Sequence, residues 1–176
     1  MLKNKFIRNI LILVIVIANI GCDQVSKKIA RENIVQGDRI EVLSDKLILM
    51  NVENDGAFLS TGSDLPPLAK KILLLGLPIV MLVGAFIYLL ITTNLPKLGL
   101  IGWSFVIGGG IGNMYDRIKF GSVTDFLFID LGGIFRTGVF NMADVSIMVG
   151  MGFLILYYIQ DSRKAAANEE LEINNE

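Results

Sequence analysis

Residues 139–159 read VFNMADVSIMVGMGFLILYYI, twenty-one positions with a single charge, Asp144. A helix needs roughly 20 apolar residues to cross a bilayer, and this stretch supplies them. Tyr157 and Tyr158 add an interfacial aromatic pair, with Arg163 and Lys164 after it. The aspartate is the anomaly. An ionisable group at membrane depth costs from about 3 kcal/mol upward, and an unpaired buried carboxylate is no structural element. Upstream, FGSVTDF (120–126) sets Asp125 across a short loop. A carboxylate at the end of one membrane helix and another at the start of the next can share one proton and one water. That is the equipment of an aspartyl hydrolase.

Three more apolar runs, at about 7–30, 72–92 and 98–115, extend the pattern. The expected fold is therefore an all-α membrane protein of four transmembrane helices in one domain over 1–164. Loops at 31–70 and 118–138 share one face, and a polar tail, expected to fray, covers 165–176. The 72–92 run has no charge, follows Lys70 and Lys71, and carries Pro78 in its first two turns, where a kink is tolerable. A 53% hydrophobic content and a mean hydropathy of +0.60 are too apolar for a soluble domain of 176 residues. A net charge of −1 gives no electrostatic case for nucleic acid. Histidine is absent and Cys22 is the single cysteine, which excludes His-based catalysis, internal disulfides and multi-Cys metal sites.

In the first loop, EVLSDKLILMNV (41–52) is rich in β-formers and Asn54-Asp55-Gly56 is a turn signal. A small β-sheet on the membrane surface is expected there. The second loop holds Val123, Phe126, Phe128 and Ile129 before Gly132-Gly133 and reads as a short surface helix or a hairpin. There is no internal repeat and no low-complexity tract.

Two readings compete for the first run. Lys3, Lys5 and Arg8, an apolar run, then Gly21-Cys22 look like a lipoprotein signal peptide. The position three before the cysteine is Asn19 rather than an aliphatic residue, however, and three further spans follow. Cys22 is read as a small buried hydrophobe. Asp23 and Lys27 share a helix face at i, i+4, and the plain alternative to a functional pair is an interfacial ion pair of little worth.

In WSFVIGGGIGNMYDRI (103–118), Gly108 and Gly112 form a small-xxx-small face for close helix contact. The glycine cluster lacks the Lys-Ser/Thr ending of a phosphate loop. Asn113, Asp116 and Arg117 project on one side of the last helical turn, where Arg117 snorkelling to head groups is the plain alternative. Asn141 and Asp144 share a face by i, i+3 spacing.

Five blocks occur in order along the chain: Asp23-Gln24-x-Ser26-Lys27, Asn54-x-Gly56-Ala57-Phe58, Gly112-Asn113-x-x-Asp116-Arg117, Gly121-x-Val123-x-Asp125-Phe126 and Phe140-Asn141-x-Ala143-Asp144. Through them the chain resembles the lipoprotein signal peptidases (signal peptidase II), aspartyl peptidases of the bacterial inner membrane. The stretch between Phe126 and Phe140 matches no motif.

The resemblance implies removal of signal peptides from diacylglyceryl-modified prolipoproteins, cut just before the lipidated cysteine, with Asp125 and Asp144 as catalytic dyad and no metal or cofactor. By position, Asn113 and Asn141 would orient the dyad or the substrate backbone. Arg117 and Asp116 would fix the end of the third helix and meet lipid or peptide. Asn54 and Gly56 would form a surface cradle, and Asp23 and Lys27 would brace the first helix against it. The implied partners are lipid-modified prolipoproteins and membrane lipid, with the chain itself a monomer.

Charge counting gives the opposite topology from the one the resemblance implies. Six basic residues flank the spans on the side of the termini (Lys3, Lys5, Arg8, Lys97, Arg163, Lys164) and nine lie in the opposite loops. The first helix's basic flank favours termini inside, and the resemblance implies cytoplasmic termini with the dyad near the outer face. Rival functions are a Ser26/Lys27 peptidase, whose adjacent helix positions point about 100° apart, a small transporter or proton channel, and a non-catalytic scaffold.

Overall fold

The computed structural model describes residues 4–43, 46–56, 61–132 and 135–173. In chain order it comprises α1 (Lys5–Asn33), β1 (Arg39–Glu41), β2 (Leu47–Asn54), α2 (Pro67–Ile91), α3 (Lys97–Phe120), β3 (Val123–Ile129) and α4 (Met142–Ile173). Among the described residues, three helices are long and apolar enough to cross a membrane: Lys5–Asn33, Pro67–Ile91 and Met142–Asn168. They contain three of the four expected spans. The fourth run, 98–115, lies inside α3, which is helical throughout, but six glycines and a polar final turn dilute its hydropathy.

Those glycines place α3 at the centre of the bundle. A Cβ at Gly109 would sit 2.4 Å from the Ala143 carbonyl of α4, and one at Gly102 would sit 2.9 Å from the Gly150 carbonyl. On another face, a Cβ at Gly108 would approach Asn19 Cβ to 2.8 Å, and one at Gly112 would approach Asp23 Oδ2 to 2.6 Å, both on α1. Gly110 meets Leu82 of α2 in the same way. The expected Gly108/Gly112 contact face is therefore real, and α3 packs at backbone distance against α1 and α4 at once.

On α1 the buried positions are Arg8, Ile12, Val16, Asn19, Asp23, Lys27 and Ala30. Their steps of three and four make one narrow stripe along the helix. Ile12 and Val16 join Leu89, Leu100 and Ile107 in the main apolar core. Cys22, expected to be buried, falls one step off the stripe and is exposed. Arg8, read from sequence as a topological flank, is 1% exposed. Its Nη2 donates to the carbonyls of Leu89 and Thr92, and its Nη1 to that of Leu90 (3.3 Å). Leu89 and Leu90 carry last-turn carbonyls of α2 that have no partner within their own helix, Thr92 is its C-cap, and a cation suits that end of the helix dipole.

α2 itself is not a plain span. A short turn over Pro67–Lys70 leads into a π-helical stretch, Lys71–Gly76, and then into Leu77–Ile91. The Leu77 N–H reaches Ile72 O, five residues back. Pro78 has no N–H to donate and crowds the carbonyl four residues before it, so the widened turn stands where the helix must absorb the mismatch.

The expected sheet forms in the order β1-β2-β3, antiparallel throughout. Its third strand comes from the second loop, so the surface-helix alternative fails for Val123–Ile129. Val, Thr and aromatic residues favour an extended chain, and β2 offers an open edge. The chain then returns through bridges at Asp130–Arg136 and Leu127–Phe140, the hairpin alternative. β2 carries an irregularity between Leu49 and Val52, with one residue more than β3 opposite it. At the other end, α4 continues through Ile173 rather than fraying after residue 164, since Arg163-Lys164-Ala-Ala-Ala167 are strong helix formers.

Replacing Arg8 with Leu removes the cap on α2 while leaving an apolar side chain in the buried position. Several carbonyls then lose their partner, and we expect a loss of about 3 kcal/mol, or roughly 6–12 °C in thermal unfolding in detergent. Arg8→Lys should recover only part of it, because an ammonium lacks the forked donors. An unchanged midpoint for Arg8→Leu would refute the capping role.

Candidate active site

β3 alternates across two environments. Val123 and Asp125 face a cavity, while Thr124 accepts from Arg31 Nη1 (2.7 Å) and Phe126 packs on Ala30 and Ile34, all three on or at the end of α1. Period two along a strand therefore aims the Asp125 carboxylate inward. Asn54, at the end of β2, stands opposite Val123 and so diagonal to Asp125. Its Nδ2 donates to Asp125 Oδ2 at 3.0 Å, and its Oδ1 accepts from the Gly56 N–H at 3.0 Å.

Asp144 occupies the first turn of α4 rather than the interior of an apolar run, because the helix starts at Met142. Asn141 caps it: the Asp144 N–H donates to Asn141 Oδ1 (3.0 Å) and the Asn141 N–H to Asp144 Oδ2 (3.1 Å), a reciprocal capping box. The same asparagine sends its Nδ2 to Asp125 Oδ1 at 2.6 Å. One residue thus ties both carboxylates to the start of α4. Asn113 Nδ2 completes the set with a 2.9 Å bond to Asp144 Oδ1.

Behind this layer lies a charged cluster without solvent access. Lys27 Nζ contacts Asp23 Oδ2 (2.9 Å), Asp116 Oδ2 (3.2 Å) and Asn113 Oδ1 (2.8 Å), and Lys27, Asp23 and Asp116 are all 0% exposed. Asp23 Oδ1 accepts the Ala143 N–H of α4 (2.9 Å), and Asp116 Oδ2 the Thr124 N–H of β3 (3.3 Å). The Asp23–Lys27 pair is therefore no interfacial ion pair, and it braces α1 against α3 and α4 rather than against the sheet. Gln24, quoted in a motif but given no role from sequence, donates to Asp23, Asp116 and the Gly112 carbonyl. Ser26 donates to the Asp23 carbonyl and Lys27 is occupied elsewhere, so no Ser/Lys catalytic pair forms.

The cavity holds about 400 Å³, within the range of ligand sites. Asp125, Asp144, Asn54, Asn113, Asn141 and Arg117 form its polar end, while Leu73, Leu77 and Met81 of α2 with Val106 and Ile147 make its apolar walls. Arg117 Nη2 donates to the Gly56 carbonyl at 2.7 Å, so Gly56 is held at the rim and Arg117 is no free snorkelling side chain. Ala57 and Phe58 of the same motif lie outside the described residues. Of the residues singled out from sequence, six meet in the cavity, Gly56 anchors its edge, and Asp23, Lys27 and Asp116 support it from behind.

Burial is the main force on Asp125, pushing its carboxyl up to about 6, with the nearby Asp144 charge adding to the rise. The amides of Asn54 and Asn141 pull the other way. Chemically, the arrangement is a pair of close carboxylates, each with two N–H donors, at the polar end of an apolar slot.

A family profile described as signal peptidase (SPase) II matches residues 14–160. Lipoprotein signal peptidase of Clostridium tetani is 32% identical over 149 residues, covering 85% of this chain and 92% of its own length. That of Listeria monocytogenes is 33% identical over 151 residues, covering 85% and 94%, and that of Chlorobium phaeobacteroides 36% over 143 residues, covering 77% and 82%. A solved bacterial membrane enzyme, determined by the in meso method, shares the fold with a TM-score of 0.75 at 24% identity, covering 86% of this chain and 89% of its own.

The Asp125 carboxyl should titrate near 6 by infrared spectroscopy of the folded protein. Because it binds its proton more tightly folded than unfolded, stability should fall as pH rises from about 4 to 6. Asp144→Asn removes the neighbouring charge and should lower the midpoint; Asn54→Leu removes a donor to the anion and should raise it. Shifts of the opposite sign would contradict the assigned causes.

Proposed function

The chain belongs to the signal peptidase II family, and from that premise we propose that it cuts diacylglyceryl-modified prolipoproteins just before the lipidated cysteine, with Asp125 and Asp144 as the catalytic pair. The observation that carries this reading is the single asparagine, Asn141, that binds both carboxylates at one end of an apolar cavity. As a family member the protein is an aspartic-type peptidase, and its apolar helices make it a multi-pass membrane protein.

Both carboxylates accept two N–H donors, so hydrogen bonding does not distinguish them. Burial does: Asp125 is 4% exposed and Asp144 is half-buried. Asp125 is therefore the member that holds the shared proton at rest. Ionised Asp144 takes a proton from water, which attacks the scissile carbonyl. Asp125 donates to the carbonyl oxygen as it becomes anionic, and the pair then protonates the leaving amine. Asn54 and Asn113 hold the two carboxylates at the angle this exchange needs.

In this reading α3 is the fourth span of one peptidase domain over 1–164. The termini are cytoplasmic in a bacterial inner membrane, and the sheet and dyad lie near the outer face. The enzyme acts as a monomer, and Arg8 then serves as a cap and contributes nothing to the count of orienting charges. The slot between α2 and α4 takes the apolar signal peptide and the acyl chains, whose burial at about 25 cal/mol per Å² supplies much of the binding.

Asp125→Asn and Asp144→Asn should each reduce cleavage of a lipidated prolipoprotein by at least about 10³-fold, since a carboxamide neither takes nor shares the proton. Thermal unfolding should stay close to that of the parent protein. Substantial turnover by either variant on a gel assay would sink the aspartyl mechanism.

A precursor identical except for its missing diacylglyceryl group should be cut far more slowly, with the loss mostly in KM. Equal kcat/KM for the two precursors would argue for a general signal peptidase instead.

A further inference from the structure

A second cavity of about 350 Å³ adjoins the first, and Leu74 and Arg117 line both. Leu65, Leu74 and Leu75 give it an apolar side, while Lys70, Lys71 and Arg117 give it a basic one. Beyond those two shared residues the cavities are lined by different parts of the molecule. The first runs along α2 past Leu77 and Met81 toward Val106 and Gly110, into the apolar middle of the bundle. The second lies where α2 begins at Pro67, where β2 gives way to Asp55, and where α3 ends at Gly121.

A polypeptide cut at the dyad has two unlike ends. Its signal segment is apolar and belongs in the first cavity, between apolar walls; the chain beyond the cut is hydrophilic and suits the second, with its basic side. Charge narrows the choice further. Lys70 is paired with Asp55 at 2.6 Å, and Arg117 is engaged with the Gly56 carbonyl. Lys71 lines the cavity, is exposed, and makes no side-chain hydrogen bond or ion pair among the described residues.

We propose that this second cavity is the subsite for the first residues of the mature chain, those following the lipidated cysteine, and that Lys71 gives it a preference for acidic side chains there. The proposal rests on the peptidase reading above. Lys71 is a specificity residue, with no part in bond cleavage.

The test uses full-length protein in nanodiscs of zwitterionic lipid and three lipidated precursors, with Glu, Gln or Lys at the two positions after the cysteine. Wild type should cut the Glu precursor about five-fold faster in kcat/KM than the Lys precursor, the size of a partly screened charge pair. Lys71→Gln should level the three rates and Lys71→Glu should invert the order, both keeping the wild-type rate on the Gln precursor. Equal rates on all three precursors with wild type, or a uniform loss in both variants, would overturn the proposal. So would a Lys71 effect that appears only with anionic lipid and ignores the precursor's charge, which would make the site one for head groups. Failure of wild type to cut any lipidated precursor would instead remove the peptidase reading itself.

Discussion

The buried ammonium of Lys27 is the contact on which the rest of this structure depends. Taking a lysine and two aspartates out of solvent costs several kcal/mol per ion unless each charge is compensated and its hydrogen bonds are filled. Here the partners come from different elements. Asp23 belongs to α1, Asp116 and Asn113 to α3, and the free lone pairs of the two carboxylates reach backbone N–H groups of α4 and β3. The cluster is satisfied only when three helices and a strand stand in one relative position. Asn113 then carries that constraint forward: its oxygen is held by Lys27, which leaves its nitrogen pointing at Asp144. The placement of the Asp144 carboxylate is thus a consequence of an ion cluster one layer away.

Close packing makes the cluster possible. The Lys27 side chain reaches α3 because glycines at 108 and 112 bring the two backbones together, and Gly112 leaves the space that the Asp23 carboxylate fills. Gly102 and Gly109 do the same for α4. Helices in a bilayer gain little from hiding apolar surface from one another, so contact has to come from van der Waals fit and polar pairs. α3 supplies both along its length, glycine in the middle and Asn113, Asp116 and Arg117 at the end.

α2 is the exception to this tight assembly. It packs on α3 and meets α1 near its end, through Leu89 and Arg8, yet its Leu73, Leu77 and Met81 provide one wall of the cavity that holds Asp125 and Asp144. Polar contacts near its two ends hold it, Arg8 on its last carbonyls and Lys70 with Asp55 near its start. Between them the π-helical turn and Pro78 break the regular helix along the stretch that lines the cavity.

Much of this was legible in the chain itself, because hydropathy, charge and turn chemistry are local properties. The apolar runs fall inside the four helices, and the residues that gather at the cavity, Asp125 and Asp144 among them, were identifiable from their cost at membrane depth and from five motifs in order. What escaped were matters of distance along the chain. Whether 123–129 was strand or helix depended on an edge offered by β2, some seventy residues earlier, and the same pairing decides which way Asp125 points. Asp23–Lys27 at i, i+4 left open whether the pair was an interfacial or a supporting one because local spacing carries no information on burial, and Cys22 was read as buried for the same reason. Arg8 read as a topological signal because the carbonyls it caps belong to residues 89, 90 and 92. The sequence by itself determined which segments are apolar and which residues bear the chemistry; the tertiary structure alone decided which of them meet, since a contact between α1, α3, β3 and α4 exists only once the chain has closed upon itself.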